Sequence, residues 1–408
     1  MAAVIGPNPT TCSPNTNNGK PELLKKIEGH GSRVTSVFLL DKEDGVLTIS
    51  DDRSVRVWLK RDSGQYWPSI VYYLSSTPTC FFYDESSNDL VVGLLNGNVV
   101  LMSITDDYND INEKVNLQQH VNVVTGIASS KKTKLVYSCS KDKTVVWSKL
   151  ENLQRCGSYI VSAPATALQY DDDFVFVGDS NATITILRIL GESAQLITHL
   201  KGHTCPITDL AWDVTRQQLF SSSTDKLIIV WDIGGKRGQC YELNGHDHRI
   251  TTLTYVSCSN KLLSTDCNGG MVCWDMTAKR MMTPEWRNND KCDFCDIPFI
   301  WNLKVMWDRK LIGVRRHHCR ICGISVCGEC SKNTTTFPVM GFEKPTIICK
   351  TCNNRMKQFP EQYDLTPLAV SNDLNYGIIS MHIQEEKKKM VTVGYDRVIM
   401  IWDISNLI

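Results

Sequence analysis

The 408-residue chain contains no run of 18 or more apolar residues, so no segment reads as a helix able to cross a bilayer. It also lacks an excess of either charge: 44 Lys and Arg stand against 44 Asp and Glu. With a net charge of +0 there is no global field for nucleic acid, and any charge-based recognition must be local. Residues 1–20 lack the basic stretch and apolar core of an export signal. Rich in Pro, Asn and Thr, they read as a disordered tail. Enzyme signatures are missing too. There is no P-loop and no nucleophile elbow, and the expectation is a protein that is not an enzyme.

What the chain does have is cysteine, 17 in all. Without an export signal, that number argues against a disulfide framework. Eight fall in four CxxC pairs: Cys292/Cys295, Cys319/Cys322, Cys327/Cys330 and Cys349/Cys352. Thiolates at this spacing suit tetrahedral zinc, because the short loop turns both sulfurs onto one ion at about 2.3 Å. Eight thiolates serve two four-coordinate zinc ions and leave no open position, so the sites read as structural. A module of about 70 residues has little apolar core, and the metal should supply much of its folding free energy. The other nine cysteines are scattered, several within apolar alternation, where a free Cys behaves as a small core hydrophobe.

The rest of the chain is repetitive. Trp58, Trp147, Trp231, Trp274 and Trp402 each end a short β-branched run, at intervals of 89, 84, 43 and 128 residues. The spacing fits a unit of about 40–45 residues, taken once or twice. His30, His120, His203 and His246 precede the first four tryptophans by 28, 27, 28 and 28 residues. Asp52, Asp225, Asn268 and Asp396 stand six before a Trp, and Asp142 stands five before. Degenerate copies end at Met102 and Leu187, which makes seven units. The pattern resembles the WD-repeat family. The resemblance implies an all-β fold, a seven-bladed propeller of four-stranded blades whose His, Asp and Trp form a structural hydrogen-bonded chain. If blades are offset from repeats, the strand around residues 22–27 completes the last blade and closes the ring.

The 128-residue interval exceeds one unit by about 85 residues, roughly 278–364, and all eight paired cysteines lie inside it. The expected domains are WD repeats one to six over 21–277, a finger over 284–358, and the seventh repeat over 365–408. Within the insertion, Arg315-Arg316-His317-His318-Cys319-Arg320 gathers five potential cations around one cysteine. Arginine offers bidentate phosphate recognition, and a protonated imidazole donates from both nitrogens. This stretch resembles the basic signature of the FYVE zinc fingers.

That resemblance implies alternating ligand pairs. Cys292, Cys295, Cys327 and Cys330 would hold one zinc, and Cys319, Cys322, Cys349 and Cys352 the second. It implies a head-group site for phosphatidylinositol 3-phosphate formed by Arg315, Arg316, His317, His318 and Arg320. It also implies membrane insertion by Leu311, Ile312 and Val314. Three departures stand out. The leading Trp286 is followed by Asn289 where the family has Asp, with Asp290 one residue later as the expected substitute. Ile347 occupies the place of a phosphate-binding Arg. Residues 299–307, rich in Phe, Ile and Trp, form an apolar extra piece that would pack on the propeller or bind a partner or the membrane.

Together the motifs resemble the small WD-repeat and FYVE domain-containing proteins. The implied function is an adaptor in the cytoplasm, peripheral on early endosomes. Its propeller would bind proteins, signalling kinases or their substrates among them, and homodimerisation would raise its avidity. The alternatives are a RING-like ubiquitin ligase and a finger that binds protein instead of lipid.

Overall fold

The structure is a computed structural model and describes residues 19–234, 240–282, 284–300 and 314–408. The expected tail over 1–20 thus lies almost wholly outside the described residues. Seven four-stranded antiparallel sheets form a propeller. Their strands are short because turn residues punctuate the chain. The hairpin between the second and third strand of every blade pairs Asp or Asn with a left-handed residue: Arg53, Gly97, Lys143, Ala182, Lys226, Gly269 and Arg397. The evenly spaced Asp/Asn marker is therefore first of all a turn device.

The core lies between blades, where sheet faces meet. The first and second blades share one cluster around Leu47, Val57, Val92 and Met102, and the fourth and fifth share another around Phe176, Ile186 and Leu210. Strand Glu22–Ile27 pairs with Ile399–Asp403 as the outer strand of the seventh blade, which closes the ring as the offset of repeats suggested. At the same seam, the Leu39 N–H of the first blade donates to His382 Nδ1 of the last, 3.2 Å away.

Within a blade the expected chain forms. In the fifth, His203 Nδ1 meets Asp225 Oδ2 at 3.0 Å and its Nε2 meets Ser221 Oγ at 2.8 Å, while Trp231 Nε1 donates to the same oxygen at 2.9 Å. The first blade repeats it with His30, Asp52, Thr48 and Trp58. Two blades depart from the spacing. In the sixth, Asn268 holds the turn but is not the histidine's partner; Asp266, two residues earlier, takes His246 Nδ1 at 3.1 Å. In the third, Trp147 follows Ser138 by nine positions instead of ten. One residue fewer turns its side chain to the other face of the strand. Its indole accordingly donates to the Gly191 carbonyl at 2.8 Å, while His120 still reaches Ser138.

The cysteine-rich module interrupts the sixth blade. The blade's third strand is Gly270–Asp275, and its fourth, Ala369–Asp373, follows only after the module. Because a repeat begins with the outer strand of the preceding blade, this is the junction between the sixth and seventh repeats. The module does not hang free. Asn244 N–H donates to Gly341 O at 2.8 Å, and Glu343 N–H returns a bond to Asn244 O at 3.0 Å, beside the outer strand Cys240–Leu243 of the fifth blade. Lys344 adds an ion pair to Asp247. Gly341 is required here: its φ is +86°, and a Cβ would lie 2.0 Å from Glu242 O.

Candidate metal centre and anion-binding site

The module's interior is mostly sulfur. Cys292, Cys319, Cys327, Cys349 and Cys352 form its core with Phe299, Val326 and Ile348. The eight paired cysteines gather into two groups, Cys292, Cys295, Cys327 and Cys330, and Cys319, Cys322, Cys349 and Cys352. Within each group the four Sγ atoms lie within 4.8 Å of one another. Cys295 and Cys327 Sγ are 3.6 Å apart, and Cys322 and Cys349 Sγ 3.8 Å. A disulfide requires about 2.05 Å. Two sulfurs on one tetrahedral zinc stand about 3.8 Å apart, given Zn–S bonds of about 2.3 Å. The donor set fits zinc.

Local structure aims the sulfurs. Cys327 N–H points at Cys292 Sγ and Cys349 N–H at Cys319 Sγ, at 3.4 and 3.2 Å, donors that favour thiolate over thiol. Cys349 caps the helix Lys350–Gln358, whose N-terminus also favours an anion. In the loop that joins the hairpin strands Arg316–His318 and Ser325–Cys327, Gly323 adopts φ +74°, and a side chain there would strike Glu285 O.

The basic stretch runs along the first strand of that hairpin. Arg316–His318 pairs antiparallel with Ser325–Cys327, with Arg316 opposite Cys327 and His318 opposite Ser325. Alternation sends Arg316 and His318 to one face and His317 to the other. His318 stacks on Trp286, with centroids 4.8 Å apart and planes 22° apart. Its Nε2 lies 3.2 Å from Arg287 O, and since a carbonyl only accepts, Nε2 carries the proton. Arg320 lies over Trp286 at 4.4 Å.

The cations are crowded. Burial and then Arg315 and Arg320 hold His317 below the ordinary imidazole range; burial, Arg316, Arg320 and His317 hold His318 down. Arg320 also reaches the propeller electrostatically: burial pushes the Glu242 carboxyl up, and Arg320 pulls it back.

The remaining expected site residues are distributed unevenly. Asp290 is exposed, and its carbonyl holds Phe299 N–H at 3.0 Å; Asn289 binds Asp293 instead. Ile347 is half-buried on the strand Phe342–Ile348, and its carbonyl accepts Arg320 N–H at 3.1 Å. Lys344 is taken up by Asp247, and Lys350 lies in the helix. Val314 packs against the cysteine core, and its N–H binds Pro298 O. Leu311 and Ile312 lie outside the described residues, as do Trp301 to Trp307 of the apolar extra piece. Of that piece, Phe299 is buried in the module and Ile300 is exposed.

Sequence reasoning missed the docking segment around Gly341 and Lys344. Its signal was a Gly and a Lys without a role in the metal chemistry, too common a pair to single out.

Comparison with known proteins agrees. A FYVE zinc finger family model matches residues 269–358, and a WD domain, G-beta repeat model matches 21–58, 112–147 and 194–232. The chain is 46% identical over its whole length to "WD repeat and FYVE domain-containing protein 2" of Caenorhabditis briggsae, covering 98% of that protein. It is 43% identical to the human protein of that name, with both chains fully covered. Human "WD repeat and FYVE domain-containing protein 1" matches at 44%, with 97% of its length covered. The solved WD40 β-propeller domain of Doa1 superposes with a TM-score of 0.59 at 15% identity, covering 94% of this chain and 96% of that one; it speaks for the fold alone. Neither a kinase partner nor a homodimer draws support from these matches.

Proposed function

Because the chain belongs to the WD repeat and FYVE domain-containing proteins, we propose that it is a membrane adaptor whose finger reads phosphatidylinositol 3-phosphate on early endosomes. The observation that carries the reading is the cluster of Arg315, Arg316, His317, His318 and Arg320, three guanidinium groups and two imidazoles on and beside the short strand Arg316–His318. Such a cluster attracts a doubly charged monoester phosphate more strongly than the singly charged diester of an ordinary lipid.

The residues divide the work. Cys292, Cys295, Cys327 and Cys330 would hold one zinc, and Cys319, Cys322, Cys349 and Cys352 the other. The metal supplies the folding energy that fixes the hairpin. Arg315 and Arg316 bind the phosphate. Trp286 orients His318 and Arg320 toward it by stacking. With Ile347 in place of an arginine, one charged contact is missing, and the affinity of a single finger is modest. Leu311 and Ile312 insert into the bilayer next to Val314, which packs against the module's core.

The propeller offers protein partners a rigid surface. A second reading, a finger that binds protein instead of lipid, is favoured by Ile347. Localisation of the full-length protein separates the two. Discrete endosomal staining that disperses under a phosphoinositide 3-kinase inhibitor supports lipid reading. Staining that persists under the inhibitor speaks for the protein-binding finger.

A further inference from the structure

Between the fourth and fifth blades, the propeller's side opens into a cleft of about 620 Å³. Its floor is aromatic. Phe176 and Trp212 stack with centroids 4.8 Å apart and planes 30° apart, and Trp231 lies beside them. Phe174 and Ile197 stand at the mouth, 36% and 47% exposed. This is apolar surface that closing the ring does not cover.

Two further observations say what would cover it. The indole N–H groups of Trp58, Trp231, Trp274 and Trp402 each donate to a hydroxyl oxygen within their own blade. Trp212 Nε1 is also buried, yet among the described residues it has no acceptor. A buried donor left unpaired is costly, and an acceptor brought from outside would relieve it. The second observation is charge. Asp171 lines the cleft, and the run 171–173 leads directly into Phe174. Lys132 meets this run at Asp172, 2.8 Å away. Arg188 instead places its guanidinium over the Phe174 ring, at 5.8 Å.

We propose that this cleft is the docking site for an extended peptide segment of a partner protein, with a large apolar side chain next to Lys or Arg. The apolar side chain would lie on the Phe176–Trp212 floor. On binding, a small shift of the Trp212 ring would bring its buried Nε1–H within reach of a peptide carbonyl. The basic residue would face Asp171 and its neighbours, which also disfavour an anionic bilayer as the occupant. The site belongs to the propeller and does not depend on the finger's lipid reading.

The test uses the full-length protein and labelled peptides of about twelve residues, with a central Phe flanked by two Lys, two Glu or two Ser, read by fluorescence anisotropy. The Lys-flanked peptide should bind about tenfold tighter than the Glu-flanked one, a difference that should shrink at high salt. Ile197→Glu, on an exposed outer strand, should weaken binding about tenfold without moving Tm. Trp212→Phe keeps the stack, removes the N–H, and should cost a few-fold. Equal binding of the Lys- and Glu-flanked peptides, or indifference to Ile197→Glu, overturns the proposal. So does a different occupant. A concentration-dependent dimer lost in Ile197→Glu would make it a second copy. Retention on phosphoinositide-free vesicles, lost in the same variant, would make it a bilayer.

Discussion

Trp286 and His318 lie ring over ring, centroids 4.8 Å apart, and join the segment ahead of the first CxxC pair to the basic strand just ahead of the second. Arg320 lies over the same indole. Two of the five cations of the basic stretch therefore take their position from an aromatic residue outside it. Aromatic stacking and cation–π contact each contribute about 0.5–1.5 kcal/mol. Trp286→Ala should weaken binding to vesicles containing phosphatidylinositol 3-phosphate about tenfold, while the zinc content stays at wild type. Trp286→Phe should recover part of the loss. Unchanged vesicle binding in Trp286→Ala would remove the indole from the site.

The metal count is open to direct weighing. Native mass spectrometry should find two zinc ions per chain. A strong chelator should unfold the module and leave the propeller's thermal transition in place, because the module's core is largely cysteine sulfur whereas the propeller's is hydrocarbon. One zinc per chain, or a propeller transition lost together with the metal, would contradict this division.

Docking of the finger on the fifth blade rests on Gly341. A β-branched residue there meets both a left-handed φ and the Glu242 carbonyl. Gly341→Val should detach the finger. Hydrogen exchange should then quicken at Asn244 and Glu343, whose amides hold the junction, while the rest of the propeller keeps its protection. Lys344→Ala should do much less, since an ion pair this exposed contributes about 0–1 kcal/mol.

The seam between first and last blades makes stability sensitive to pH. Burial pushes His382 down to about 4, with Asp41 opposing the shift. Unfolded, the imidazole takes its proton near 6.5. Between those values the unfolded chain binds more protons than the folded one, so stability falls as pH drops from about 6.5 to about 4. The loss attributable to this group is about 3 kcal/mol. His382→Gln, whose amide oxygen can still accept Leu39 N–H, should flatten that part of the profile in denaturant titrations. An unaltered slope would assign it to other groups.

The ring was legible in the sequence because its signals recur. The Asp or Asn turn recurs in every blade, and a Trp follows it in five of the seven, at a unit of about 43 residues. Single-copy substitutions were not legible. Asn268 occupies the expected position, but the charge that His246 needs had moved to Asp266. In the seventh blade Tyr376, with its hydroxyl on Thr392, stands where other blades use His. The cysteine groups were readable because four CxxC pairs have few other uses. How the finger sits on the propeller was not, since it depends on main-chain bonds at Asn244 and Gly341 that leave no mark in side-chain pattern. The division of the basic stretch between two strand faces required the register with Ser325–Cys327.

Phosphate position on the inositol ring tests the central claim most directly. Full-length protein is sedimented with vesicles carrying the 3-, 4- or 5-monophosphate of phosphatidylinositol at equal mole fraction. Binding should favour the 3-phosphate by about tenfold or more, and Arg316→Ala should abolish the preference, the loss of one charged hydrogen-bonding group being about 1.5–3 kcal/mol. Equal binding to the three isomers, or a preference that survives Arg316→Ala, would contradict the account.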